Sequence, residues 1–277
     1  MPKHIVCLTF DFDAISGFIA RGQDSASWRS RGEFGPRVGA PRLLGLFKKY
    51  GINTTWYVPG HTIESFPGAV ASVVEAGHEI GHHGWTHRPP ASLSRELEES
   101  ELVRGNEAIK KISGRYARGY RSPSWDLSPH SVELMLQHGF DYDSSMMGDD
   151  YSPYFARGND RITIERKAEF GHLSPLVEMP IHWSTDDSPH FEFVRMETSL
   201  RQGLQNAGDV GDNWIQDFHY MRQIVDWGVL TYTCHPFIIG RGHRIMMLEK
   251  LIQQIIAAGG VFQRVDETVD EFKARSA

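Results

Sequence analysis

Strand-like and helix-like patterns alternate about seven times along this chain, and several of the strands end in polar residues. Alternation of that kind implies an α/β fold on a parallel sheet, open or closed into a barrel. The first strand reads from His4 to Asp13. Ile5, Cys7, Thr9, Asp11 and Asp13 lie on one face; Val6, Leu8, Phe10 and Phe12 lie on the other. Both faces are apolar until the aspartates, as expected of a strand covered on both sides. Further strands read over Thr54 to Val58, His78 to His83, Arg118 to Arg121, Phe140 to Ser144, Val177 to Trp183, Val229 to His235 and Gly260 to Gln263. Helices follow Pro41, cover Phe66 to Ala76 and residues 92 to 113, start at Ser128-Pro129, and run over Asp212 to Asp226 and Arg244 to Ala258. Residues 14–40 show no clean period and read as a long loop; residues 145–175 read as irregular. No repeat and no linker divides the chain, so residues 1–277 are expected to form one domain.

In a barrel, sites lie at the C-terminal ends of the strands. Asp11 and Asp13, His82 to His87, Arg121, Trp183 and His235 all fall there. Composition narrows the rest. A net charge of −6 leaves no basic footprint for nucleic acid. No apolar run approaches the roughly 20 residues of a membrane span. Two cysteines exclude a disulfide scaffold, and both sit in apolar runs. No signal-peptide pattern precedes the first strand, so a cytoplasmic protein is expected.

The stretch Gly77 to His87 carries four histidines. Imidazole is the commonest metal ligand among side chains. His83 and His87 are four apart, one face of a helix, and Gly84 would also let a loop aim both inward. His82 lies on the opposite strand face; His78 and Glu79 read as structural. Asp11 and Asp13 project to the same side, and two carboxylates so close resist joint ionisation unless a cation lies between them. A pair of solvated turn aspartates is the plainer alternative, but the apolar run before them argues against it. One aspartate and two imidazoles make three ligands, and an open fourth position marks a catalytic zinc site. A free carboxylate as base and an imidazolium as acid would complete the parts for hydrolysing an amide. The same donors suit an iron oxygenase, but such sites commonly sit on jelly-roll sheets, unlike this alternating chain.

The motifs resemble those of the polysaccharide deacetylases, carbohydrate esterase family 4. Thr9-Phe10-Asp11-Phe12-Asp13 resembles the family's first motif and His83-Gly84-Trp85-Thr86-His87 its histidine motif. Arg121-Ser122-Pro123-Ser124-Trp125 and Thr233-Cys234-His235-Pro236 resemble its arginine and late histidine motifs. The resemblance implies a distorted (β/α)7 barrel and a divalent metal, usually zinc. It implies Asp13, His83 and His87 as metal ligands, Asp11 as general base, Arg121 as its partner and His235 as general acid. A backbone N–H near Ser124 would stabilise the oxyanion.

Two departures stand out. Phe12 separates the aspartates, and Ser124 stands between Pro123 and Trp125. Both are similar to a cytoplasmic branch of the family holding a peptidoglycan deacetylase-like protein, cyclic imidases and allantoinase-type enzymes. The run from Glu178 to Asp187 resembles that branch too. The branch implies a homo-oligomer such as a tetramer, and a small-molecule or short saccharide substrate: an N-acetylated amino sugar or a small cyclic amide. Because some members work without a metal, a metal-independent ureide hydrolase is the alternative. All six polar candidates are present, which argues against a catalytically silent carbohydrate-binding barrel. Ser124, Trp125, Trp183 and Asp187 are candidates for substrate contact, with core packing the other role for the tryptophans. Asp143 would either orient His235 or cap a strand end.

Overall fold

A computed structural model describes residues 2–195, 200–201 and 203–276. Its strands, in chain order, are β1 (Lys3–Asp11), β2 (Thr55–Val58), β3 (Glu79–His82), β4 (Gly119–Tyr120), β5 (Tyr142–Asp143), β6 (Tyr154–Gly158), β7 (His172–Glu178), β8 (Val194–Arg195), β9 (Leu200–Arg201), β10 (Trp227–Cys234) and β11 (Val261–Phe262). The main sheet runs β10-β1-β2-β3-β4-β5-β7-β6, with β11 beside β1. All its pairings are parallel except β6 with β7. The sheet curls into an incompletely closed barrel. At the seam, no full ladder forms among the described residues: Val229 N donates to Tyr151 O at 2.9 Å, and Asp186 bridges Thr233.

The alternation along β1 builds two cores. Val6, Leu8, Phe10 and Phe12 face the helices, where Phe10 stacks on Trp56 with ring centres 4.9 Å apart. Burying each such side chain contributes about 2 kcal/mol. Ile5 and Cys7 face the barrel interior with Tyr57, Tyr142, Val177 and Val229. Val265 and Val269, from the helix Val265–Ser276, plug the lower end of that interior. The upper end of the same column is Thr9 and then Asp11, so the apolar interior ends where the carboxylates begin.

Four readings of the sequence need correction. The strand read over Val177 to Trp183 ends at Glu178, and Trp183 starts the 3-10 turn Trp183–Thr185. Residues 14–40 are not a loop: they hold helices Ser16–Ala20 and Ala26–Phe34 and a π-turn Gly35–Gly39 that runs into helix Ala40–Tyr50. Their glycines serve close packing. A Cβ on Gly32 would lie 2.5 Å from Ala14 O, and one on Gly39 would lie 2.0 Å from Pro236 O. Contacts made by bare backbone leave no apolar period to read. The irregular stretch 145–175 contains β6 and the start of β7, an antiparallel edge whose outer half is solvated, so its strand signal is weak. Finally, the helix read as starting at Ser128-Pro129 starts later, and Ser128 precedes it in a turn. Its hydroxyl accepts His130 N, and the helix starts at Ser131.

Candidate active site

The chemical residues gather at the upper rim. β1 delivers Asp11 at its last position, and Asp13 follows two residues later. β3 ends at His82; Gly84, at φ 70°, and His87, at φ 58°, then turn the chain so that His83 and His87 face Asp13 from a loop. Their rings lie 5.0 Å apart. Glu101 fixes this loop from the helix Arg95–Ser113, accepting from Trp85 N, Thr86 Oγ1 and Arg88. His82 points away, its Nε2 on Leu102 O at 3.0 Å. His78 and Glu79 act as scaffold: His78 Nδ1 accepts Thr54 N, and Glu79 binds Thr55, Tyr142 and Asp266 N.

Asp13, His83 and His87 offer ligand atoms that all lie within 4.8 Å of one another. His83 donates Nδ1–H to Arg121 O at 2.8 Å, which leaves Nε2 as a lone-pair donor. Nε2 stands 3.5 Å from Asp13 Oδ1, and both atoms are buried without a hydrogen-bond partner. A buried lone pair facing a buried carboxylate oxygen is costly unless a proton or a cation satisfies both; burial alone would lower His83, but Asp11 and Asp13 outweigh it and raise the imidazole, so the pocket favours positive charge at this point. His87 Nε2 is 3.3 Å from Asp13 Oδ2. Burial pushes the His87 imidazole down to about 4, so it is neutral and able to ligate near neutral pH. Burial alone would raise Asp13, but His87, His83 and His235 together hold it well below the usual carboxylate range. The donor set therefore fits a divalent metal.

Asp11 and His235 border this group. Arg121, fully buried, donates Nη1 to Asp11 Oδ1 and to Thr9 Oγ1, each at 2.8 Å. Burial would raise Asp11, yet Arg121, then His83 and His235, bring it below its ordinary value. Asp11 Oδ2 is 3.7 Å from His83 Nε2. His235 ends β10 with Nε2 3.9 Å from Asp13 Oδ2. Its Nδ1 bonds Asp187 Oδ1 at 2.7 Å, and its backbone N bonds Asp187 Oδ2 at 2.9 Å. Burial alone would lower His235; Asp187 and Asp186 outweigh it and raise the imidazole well above its usual value.

Of the expected positions, Asp143 takes the strand-end role, and Asp187 differs from the sequence reading. Asp143 does not reach His235; its Oδ1 accepts Ser145 Oγ at 2.7 Å. Asp187 is fully buried with both oxygens spent on His235, so it stands behind that ring instead of lining the pocket. No local pattern marks this, because Asp186 meets β10 only through the bridge to Thr233. Ser124 and Trp125 form a left-handed turn after Pro123, with Ser124 exposed. Trp125 stacks on Trp183 at 4.0 Å, and Trp183 is 42% exposed, so the pair offers a flat apolar face.

Residues 1–142 match the family model for polysaccharide deacetylases, about half of the chain. The chain belongs to the polysaccharide deacetylase family. It is 37% identical over 290 residues to a peptidoglycan deacetylase of Helicobacter pylori, with 100% of this chain and 99% of that one covered. A peptidoglycan deacetylase-like protein of Gibberella zeae is 27% identical over 272 residues, covering 90% and 79%. Among solved structures, one from Mycobacterium smegmatis assigned to the polysaccharide deacetylases superposes with a TM-score of 0.86 at 30% identity, covering 99% and 92%. The Puue allantoinase superposes at 0.80 with 20% identity, covering 99% and 91%, which shows a shared fold. Family membership makes this polysaccharide deacetylase domain a hydrolase of C–N amide bonds, and no helix among its described residues is long and apolar enough to cross a membrane.

Proposed function

We propose that the chain is a metal-dependent deacetylase that removes the acetyl group from an N-acetylated amino sugar. One observation carries the reading: a carboxylate bonded to the Arg121 guanidinium and an imidazole bonded to the Asp187 carboxylate border the same Asp13–His83–His87 group. Those three residues would hold a divalent ion, zinc by its fit to imidazole and carboxylate, whose charge would polarise the amide carbonyl and acidify a water.

The chain's own residues supply the proton transfers. Asp11, oriented by Arg121, takes a proton from the water as it adds to the carbonyl carbon. The Ser124 N–H is the candidate donor to the developing oxyanion. His235 has Nδ1 tied to Asp187, so Nε2 carries the proton that reaches the leaving nitrogen. The C–N bond breaks, giving acetate and the free amine. The Trp125–Trp183 face suits the apolar side of a sugar ring.

The test combines metal analysis with a panel of N-acetylated sugars, peptidoglycan fragments, cyclic imides and hydantoins. Acetate release from an N-acetylated sugar, lost on chelation and restored by zinc, is expected. Turnover of imides or hydantoins alone would overturn the substrate class; full turnover by metal-free protein would overturn the metal.

A further inference from the structure

Behind Arg121 lie two carboxyls that the proposed reaction does not use. Asp143 of β5 and Glu178 of β7 are register partners on adjacent parallel strands, and both are fully buried. Each spends one oxygen on a defined contact. Glu178 Oε1 accepts the N–H groups of Ser145 and Met146, each at 2.9 Å. Asp143 Oδ1 accepts Ser145 Oγ, and that hydroxyl in turn accepts Ser122 N at 2.8 Å. The other two oxygens, Asp143 Oδ2 and Glu178 Oε2, have no donor among the described residues, although the strand register sets the two buried side chains next to each other. Neighbouring buried carboxylates resist joint ionisation, and one proton between them would satisfy both orphaned oxygens. Burial first, and then Asp143, push Glu178 well above its ordinary value; burial also pushes Asp143 up to about 6. The other charged or titratable groups facing the pair are Arg121 and Tyr120 from the end of β4 and Tyr154 from β6.

Two bonded paths lead from this pair to the site. Pinning Ser145 N and Met146 N fixes Ser144, whose carbonyl accepts Arg121 Nε at 3.0 Å and whose hydroxyl accepts Nη2 at 2.9 Å. Ser145 Oγ fixes Ser122 N, at the start of the turn that carries Ser124. We infer that Asp143 and Glu178 share one proton and, as a single carboxyl–carboxylate unit, position Arg121 and the Ser122–Ser124 backbone for catalysis. They are positioning residues, and the inference rests on the reading of Asp11 as base and Ser124 as oxyanion donor.

Amide substitutions test it. Asp143→Asn or Glu178→Gln alone keeps one negative charge and one donor between the side chains. The double variant removes the charge and sets two NH2 groups face to face. Each single variant is expected to lose less than about threefold in kcat, and the double more than about thirtyfold, with KM and metal content unchanged. A double loss equal to the product of the single losses overturns the shared proton. Should the double variant not fold, Ser145→Ala decides, since it cuts the path from Asp143 Oδ1 through the hydroxyl to Ser122 N while keeping both carboxyls and the Ser145 N–H bond to Glu178. Its kcat is expected to fall about fivefold or more at unchanged KM and metal content, and wild-type kcat there overturns the positioning role. If wild-type protein turns over no N-acetylated sugar, the proposed function fails instead. Thermal melts of the same four proteins then still read the pair: single variants near wild type with a double far below their sum supports the shared proton, and additive shifts overturn it.

Discussion

Asp11 ends β1 and Asp13 follows two residues later, yet their neighbours assign them different chemistry. Arg121 occupies one oxygen of Asp11, whereas Asp13 keeps an orphaned oxygen facing an orphaned imidazole nitrogen. Asp11→Asn is therefore expected to lower kcat by about 100-fold or more while leaving metal content unchanged; normal turnover would sink the base assignment. His83→Ala should instead lose the metal itself, read by metal analysis after dialysis. Asp187 acts one bond further out. Asp187→Asn leaves the ring in place and removes the charge that favours the imidazolium. Its kcat is expected to drop about tenfold or more at unchanged metal content, and an unchanged kcat would show that His235 needs no partner. The sequence marks both motif aspartates and both ligand histidines, because each pair is local. It gives no sign that Asp187 serves His235, since the two are far apart in the chain and meet only at the barrel seam.

Among the elements, the short parallel strands depend on close approach. A Cβ on Gly119 of β4 would lie 1.8 Å from Tyr142 Cζ, and Tyr142 hydroxyl donates to Glu79 Oε1 at 2.7 Å. Gly119→Ala is expected to cost about 2–4 kcal/mol in chemical denaturation, because the ring it displaces also carries a buried hydrogen bond. The join between β2 and β3 has a pH dependence. His78 is pushed down from 6.5 to about 4, first by burial and then by Arg264. The unfolded chain thus binds a proton near pH 6.5 that the native state refuses until about pH 4, so stability falls as pH drops through that window. Between pH 7 and 5 the wild type should lose about 1–2 kcal/mol more than His78→Asn, measured by unfolding at both values. Equal losses would rule His78 out as the source. The helices inside 14–40 escaped the sequence because their packing is made by glycines; β6 and the start of β7 escaped because an edge half in water carries few apolar residues.

For the whole molecule, the barrel brings β1, the loop after β3, the turn after β4 and the end of β10 to one rim, and a bound ion would tie the first two of these together. Protein treated with a chelator is expected to melt on the order of 5 °C or more below the zinc-loaded form, with zinc restoring the difference. Identical melts with stoichiometric zinc bound would place the ion elsewhere. The sequence by itself determined the α/β alternation, the apolar column that ends in carboxylates, and the motif residues. Those follow from period and local spacing, which a chain displays without folding. Only the tertiary structure decided that Asp187 stands behind His235, that 14–40 is helical, and that Asp143 pairs with Glu178. Each of these depends on which strands become neighbours, and the free energy of closing the barrel is spread over the whole chain rather than written in any one stretch.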